Sequence, residues 1–245
     1  MAAEHVRPAP TPRPTSTADS DLQTPAGRVS ASPLGPAYSG HIMVAVQQGL
    51  DGAAGDAVAR AMVEVPRVDF LPDSARPHSA ADEPLAIGCG QTNSQPTTVA
   101  RMLRLLDVRP GQRVLDVGTG SGWTAVLLGR LVGEAGMVHG VELEPDLAAS
   151  AERAVAARGP EPVQVHVAVP RVLGLPEHAP FDRILVSADA PRMPEELVEQ
   201  LVAAEGEQSG GVMVVPVRGE MHRVRRDRDG LEVTRHGQYR FVPLR

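Results

Sequence analysis

The 245-residue chain contains no lysine, and all 24 of its basic residues are arginine. A phosphate-binding loop of the form GxxxxGK[ST] is therefore excluded, because that loop needs a lysine on the β- and γ-phosphates. There is one cysteine, Cys89, which rules out an intrachain disulfide framework and a cysteine-built zinc cluster. Aromatic residues make up only 2 % of the chain, so a core has to be assembled from Val, Leu, Ala and Met. No stretch approaches 18 consecutive apolar residues, and "MAAEHVRPAPTPRPTSTADSD" lacks the apolar run of a signal peptide. A cytoplasmic protein with no membrane partner is the expectation. The formal net charge of −6 supplies no broad basic field, so no nucleic-acid partner is expected either. The eight histidines are scattered without H-x-x-H or HExxH spacing, and no metal site is expected from them.

What is present has a clear order. Residues 1–38 are rich in Pro, Ala, Ser and Thr with no hydrophobic period, the composition of a disordered tail. Residues 39–96 read as a helical cap and a loop: "HIMVAVQQGL" and "DAVARAMVEV" are short amphipathic helices, and "PRVDFLPDSARP" is an irregular link. Residues 97–245 form the core. "PTTVARMLRLLDV" places Val99, Met102, Leu103 and Leu106 on one helical face. "RVLDV", "MVHGVEL", "VQVHVAV" and "FDRILVSA" are strands, and "WTAVLLGRLVG", "PDLAASAERAVAARG" and "PEELVEQLVAA" are helices. This alternation predicts an α/β fold, a doubly wound, mainly parallel Rossmann-like sheet of seven strands. "GVMVVPVRG", "MHRVRRDRDG" and "LEVTRHGQYRFVPL" follow without helices, with "RDRDGL" as a hairpin turn, so the sheet should end in an antiparallel hairpin. The arginines at 223, 225, 226 and 228 read as a solvated edge that discourages further strand pairing.

The densest signal is "RVLDVGTGSGWTAVLLG" at 113–129. In an open parallel sheet the first strand-to-helix loop contacts the ligand, and glycine lets its backbone approach closely. The dinucleotide fingerprint G-x-G-x-x-G would put its third glycine where Trp123 stands; here the spacing is G-x-G-x-G. Asp116 would repel a pyrophosphate but suits the amino-acid end of a sulfonium ligand, and Glu142, ending the next strand, can accept from both ribose hydroxyls. The combination resembles the motif of class I S-adenosylmethionine-dependent methyltransferases. Asp116, Gly118, Thr119, Gly120, Gly122, Glu142 and Leu143 are the candidate cofactor-binding residues.

Upstream, "ADEPLAIGCGQTNSQPTTVARML" at 81–103 resembles the segment that precedes the cofactor strand in protein-L-isoaspartate O-methyltransferases. The likeness continues through "VPRVDFLP" at 65–72, "PFDRILVSADAP" at 180–191 and "GGVMVVPV" at 210–217, and spans about residues 42–230. The resemblance implies methyl transfer from S-adenosylmethionine to the α-carboxylate of isoaspartyl residues in damaged proteins or peptides. It also implies that Ser94 is the active-site serine that bonds the acceptor carboxylate, with Thr92 and Gln91 shaping the same loop. Ile87, Gly88 and Gly90 would set the loop's form, and Cys89 has no partners for nucleophilic work. Ser94 can equally cap the helix that begins near Pro96.

The resemblance breaks at one place. Family members carry "GDG" after the fourth strand, where the aspartate faces the adenine; Val169, Pro170 and Arg171 stand in that register here. Three readings stay open at this point: a repair methyltransferase of broad range, a carboxylate methyltransferase dedicated to one biosynthetic peptide, and a cofactor-binding homologue without turnover. The sequence sets no oligomeric state, and a monomer is the default expectation.

Overall fold

The structure, a computed structural model, describes residues 56–158, 162–205 and 209–245. The tail at 1–38 and the first of the two cap helices lie outside those residues. The second cap helix is α1 (Ala57–Glu64), begun by Asp56, whose side chain accepts from the Val58 N–H. The link after it is more ordered than its prolines suggest, with short 3-10 turns at Arg67–Phe70 and Arg76–His78 and with Phe70, Leu71 and Ala75 buried. A two-stranded hairpin, β1 (Leu85–Gly88) and β2 (Gln91–Asn93), precedes α2 (Pro96–Leu106).

The core then alternates β3 (Arg113–Val117), α3 (Trp123–Val132), β4 (Met137–Glu142), α4 (Pro145–Arg158), β5 (Val163–Val167), β6 (Arg183–Val186), α5 (Glu195–Val198) and β7 (Val212–Val217). It closes with β8 (Glu220–Asp227) and β9 (Gly230–Gln238). The seven-stranded sheet runs β5-β4-β3-β6-β7-β8-β9, parallel up to β7 and antiparallel after it. This is the doubly wound sheet with a C-terminal hairpin that the sequence predicts. The chain reverses its winding between β3 and β6, so the carboxyl ends of those two strands open the crevice where ligands of such sheets bind.

Each face of the sheet has its own apolar layer. Val114, Val138 and Val214 point to the layer of α1, α2 and α3, where Met102, Leu103, Leu106 and the buried Trp123 pack. Leu115, Val117, Ile184, Val186 and Val215 point to the other layer, with Phe181, Leu197 and Leu201. Two expectations are corrected here. The helix expected over 194–204 stops after Val198, because Leu201 bridges to Phe181 and the Phe181 N–H bonds the carbonyl of Gln200. Sheet pairing overrides the helical period there. The arginine run is not a solvated edge either: β9 covers β8, the Arg223 Nε donates to the Leu105 carbonyl, and the Arg226 Nη1 donates to that of Leu201. Among the described residues no helix is long and apolar enough to cross a membrane.

Candidate functional site

The loop after β3 is bent by left-handed residues. Gly118, Gly120 and Gly122 have φ of +76°, +56° and +90°, values that strain any residue with a Cβ. A Cβ on Gly120 would come within 3.2 Å of the Ile87 Cδ1, and one on Gly122 within 3.2 Å of Ala151 on α4. Gly120 thus lets the hairpin close over the loop, and Gly122 lets α4 pack against the start of α3. The N–H groups of Gly118 and Thr119 both donate to the Val141 carbonyl, at 2.8 and 3.2 Å.

Asp116 lies beneath this loop and is fully buried. Its Oδ2 accepts from the hydroxyls of Thr119 (2.8 Å) and Thr124 (2.6 Å), while its Oδ1 has no hydrogen-bond partner. Burial pushes the carboxyl up to about 6; the Thr124 and Thr119 bonds oppose that rise and the nearby Glu142 charge adds to it. Glu142, at the end of β4, accepts the Gly120 N–H on Oε2 (2.8 Å) and the Glu144 N–H on Oε1 (3.0 Å).

Above the loop is an open cavity. Of the residues expected from the sequence, Gln91, Thr92, Ser94, Gly118, Thr119, Gly120, Glu142 and Leu143 line it. Asp116 and Gly122 do not: the first sits under the loop and shapes it through the two threonines, and the second serves packing. Ser94 does not cap α2. The N-cap is Gln95, and the first turn of that helix is held from outside by Asp82, which accepts from the Thr97 N–H, the Thr97 hydroxyl and the Gln95 side chain. Burial raises the Asp82 carboxyl, but those hydrogen bonds and the charge of Arg67 outweigh it and hold the group below its ordinary value.

Several lining residues have no motif to announce them. Ala168, Val172, Leu173 and Gly174 come from the loop after β5 and residues 242–245 from the end of the chain, whereas Ser187, at the end of β6, lies within the segment 180–191. The turn at 169–171, where the adenine contact is expected to be missing, does not line the cavity; Ala168 and Val172 on either side of it do. The C-terminal segment is tied down where the Leu244 N–H bonds the Asp189 carbonyl and Arg245 meets the Glu144 carboxylate at 2.6 Å. Arg67 is a buried residue near the site that the sequence does not single out. It is fully buried and donates from Nε to the Asn93 Oδ1 (2.7 Å), from Nη1 to the Ala81 carbonyl (3.0 Å) and from Nη2 to those of Glu83 and Asn93 (2.8 and 2.9 Å). Asn93 in turn donates to the Ser121 Oγ (3.2 Å), so one arginine registers the Ser94 hairpin against the glycine loop.

A second groove adjoins the first. It is lined by Thr92, Ser94, Gln95, Ser187, Tyr239 and Arg240 among others, and shares Thr92, Ser94, Ser187 and Val242 with the first cavity. The donor set fits an adenosyl sulfonium ligand. Each oxygen of Glu142 holds only one backbone donor and keeps a lone pair for a ribose hydroxyl. Leu143 and Val172, 37 % and 40 % exposed, offer apolar walls to a purine.

Known proteins resemble this chain in sequence and in fold. The profile of the family described as protein-L-isoaspartate(D-aspartate) O-methyltransferase (PCMT) matches residues 42–245. The protein-L-isoaspartate O-methyltransferase of Methanopyrus kandleri is 44 % identical over 193 residues, 76 % of this chain and 82 % of its own length. A solved protein-L-isoaspartate O-methyltransferase superposes with a TM-score of 0.71 at 27 % identity, covering 84 % of this chain and 65 % of that one. A Plasmodium falciparum β-aspartate methyltransferase in complex with S-adenosyl-L-homocysteine gives 0.72 at 23 % identity, over 85 % and 98 %, and attests the fold alone. With the family profile matching residues 42–245 and a relative 44 % identical, the chain belongs to the protein-L-isoaspartate(D-aspartate) O-methyltransferase family.

Proposed function

We propose that this chain transfers the methyl group of S-adenosylmethionine to the free α-carboxylate of L-isoaspartyl residues in peptides and damaged proteins. The observation that carries this reading is the wall shared by two adjoining cavities: Ser94 and Thr92 face both the cavity with the Glu142 carboxylate and the neighbouring groove. When bound, the cofactor supplies a methyl group made electrophilic by its sulfonium. Glu142 would hold the ribose diol, the loop at 118–120 would accommodate the amino-acid end, and Leu143, Ala168 and Val172 would flank the base. A carboxylate has a pKa of about 4 and is already an anionic nucleophile at neutral pH, so no general base is required. The chain's work is to orient and desolvate it. The Ser94 hydroxyl donates to one acceptor oxygen and leaves the other for attack, and Arg67 acts as a positioning residue through Asn93. The net charge of −6 offers no field for nucleic acid, and the reading takes the protein to work in the cytoplasm as a monomer.

The test is methyl incorporation from labelled S-adenosylmethionine into several unrelated isoaspartyl peptides beside their aspartyl twins, read as base-labile methanol. Label in the isoaspartyl series alone is expected. Label in one peptide only would replace the reading with a dedicated acceptor, and no label in any, with cofactor bound, would overturn it. Ser94→Ala should lower kcat/KM for the peptide roughly tenfold to a hundredfold, the worth of a hydrogen bond to a charged group, while leaving cofactor affinity unchanged in calorimetry.

A further inference from the structure

Three histidines that are far apart in sequence meet on the sheet face opposite α3. His139 on β4 and His166 on β5 point to the same side, since Val141, two residues after His139, pairs with His166. His178 reaches them from the 3-10 turn Pro176–His178. The His139 Nδ1 and the His166 Nε2 are 3.1 Å apart, and one ring nitrogen of each of the three lies within 4.8 Å of the others. The ring centroids are 4.5 to 5.3 Å apart, and the edge of the set rests on Phe181. His139 is buried, whereas His166 and His178 are half-buried and keep the outer side of the cluster open to solvent.

We propose that His139, His166 and His178 form a binding site for a divalent transition-metal ion of the zinc class, which clamps the loop at 168–175 to the sheet. Nitrogen–metal bonds of 2.0–2.1 Å around a tetrahedral ion put ligand nitrogens about 3.3 Å apart. The His139–His166 pair already has that spacing, and His178 has to close by at most about 1.5 Å. Its place in a short turn allows this. A tautomer shift in the donor ring turns both facing nitrogens into lone-pair donors, and three imidazoles with one open position suit zinc, nickel or copper. The charged groups around the cluster are Arg113, whose Nη2 donates to the His178 carbonyl, together with Glu177 and Glu152. Burial, the other two rings and Arg113 lower the His139 imidazole to about 4, which leaves it in the neutral, ligating form at pH 7.

The placement gives the site a consequence. His166 and His178 bracket the segment that supplies Ala168, Val172, Leu173 and Gly174 to the cofactor cavity. An ion shared by both ends and by β4 shortens the free span of that segment. The metal site stands without the proposed function; its effect on the cavity rests on that reading, so the two are measured separately.

The experiment uses the full chain, freed of any affinity tag and stripped with chelator. Zn²⁺ is titrated against a competing chromophoric chelator, and Co²⁺ by its ligand-field absorption. One equivalent bound at micromolar or tighter affinity, weakened at least tenfold in His166→Ala and in His178→Ala but not in His236→Ala, is expected. Because His139→Ala opens a buried position, the two half-buried partners are the safer variants. No uptake, or uptake unchanged in both variants, would overturn the site. S-adenosylhomocysteine affinity is then measured with and without one equivalent of Zn²⁺. A gain of threefold or more, lost in His178→Ala, supports the clamp; equal affinities with zinc demonstrably bound would remove the clamp and leave the site.

Discussion

The loops after β3 and β5 both end on the cofactor cavity, but the first takes its bend from its own left-handed backbone, whereas the second is held by the Gln200 side chain. In the first, left-handed glycines set the bend and the Gly118 and Thr119 amides grip the Val141 carbonyl. In the second, Gln200 does the holding: its Oε1 accepts the Leu175 N–H, its Nε2 donates to the Leu173 carbonyl, and a Cβ on Gly174 would fall 2.5 Å from its Oε1. A loop fixed by its own backbone writes itself into consecutive residues. A loop fixed from outside leaves no local pattern, and its sequence is free to drift so long as the outside grip remains.

That contrast can be tested from both sides. Glu142→Ala removes the group that the first loop and the ribose share, and S-adenosylhomocysteine affinity should fall at least about a hundredfold, the lower end of what two hydrogen bonds to a charged group are worth. Calorimetry checks this, and a loss below tenfold would mean that the second loop carries the ligand. Asp116→Asn probes the floor of the first loop. Its folded pKa of about 6 lies above the 3.8 of the ordinary group, so its contribution to stability is complete below about pH 4 and is lost as the pH rises through about 6. Relative to wild type, the variant should gain on the order of 2–3 kcal/mol of unfolding free energy between about pH 4 and pH 7 in urea titrations without cofactor. A flat difference would show the carboxylate to be solvated. The smallest effect belongs to the second loop: Val172→Ala removes apolar contact only, and affinity should drop about threefold to tenfold. A loss matching that of Glu142→Ala would erase the distinction between the loops.

The same distinction separates what could be read in the sequence from what could not. The order of strands and helices, the buried face of α2 and the glycine loop follow from local period and turn chemistry, and each stands where the sequence places it. Glu142, at the end of the next strand, lines the cavity for the same reason, whereas Ser94 and Thr92, which also line it, are expected from the family resemblance. Arg67 could not be picked out, because a buried arginine gains its meaning from carbonyls 14 to 26 residues away. The short α5 is another such case, since nothing within "PEELVEQLVAA" says that Leu201 will pair with Phe181. Spacing rules for histidine ligands on one element miss three residues assembled by sheet register and a returning turn.

The seat of Arg245 bears on how the protein is handled. Arg245 lines the cavity, and its side chain meets the Glu144 carboxylate. An affinity tag fused after this residue would begin beside the cofactor cavity. Enzymologists comparing preparations should expect carboxyl-terminal fusions to alter apparent cofactor affinity before they alter folding.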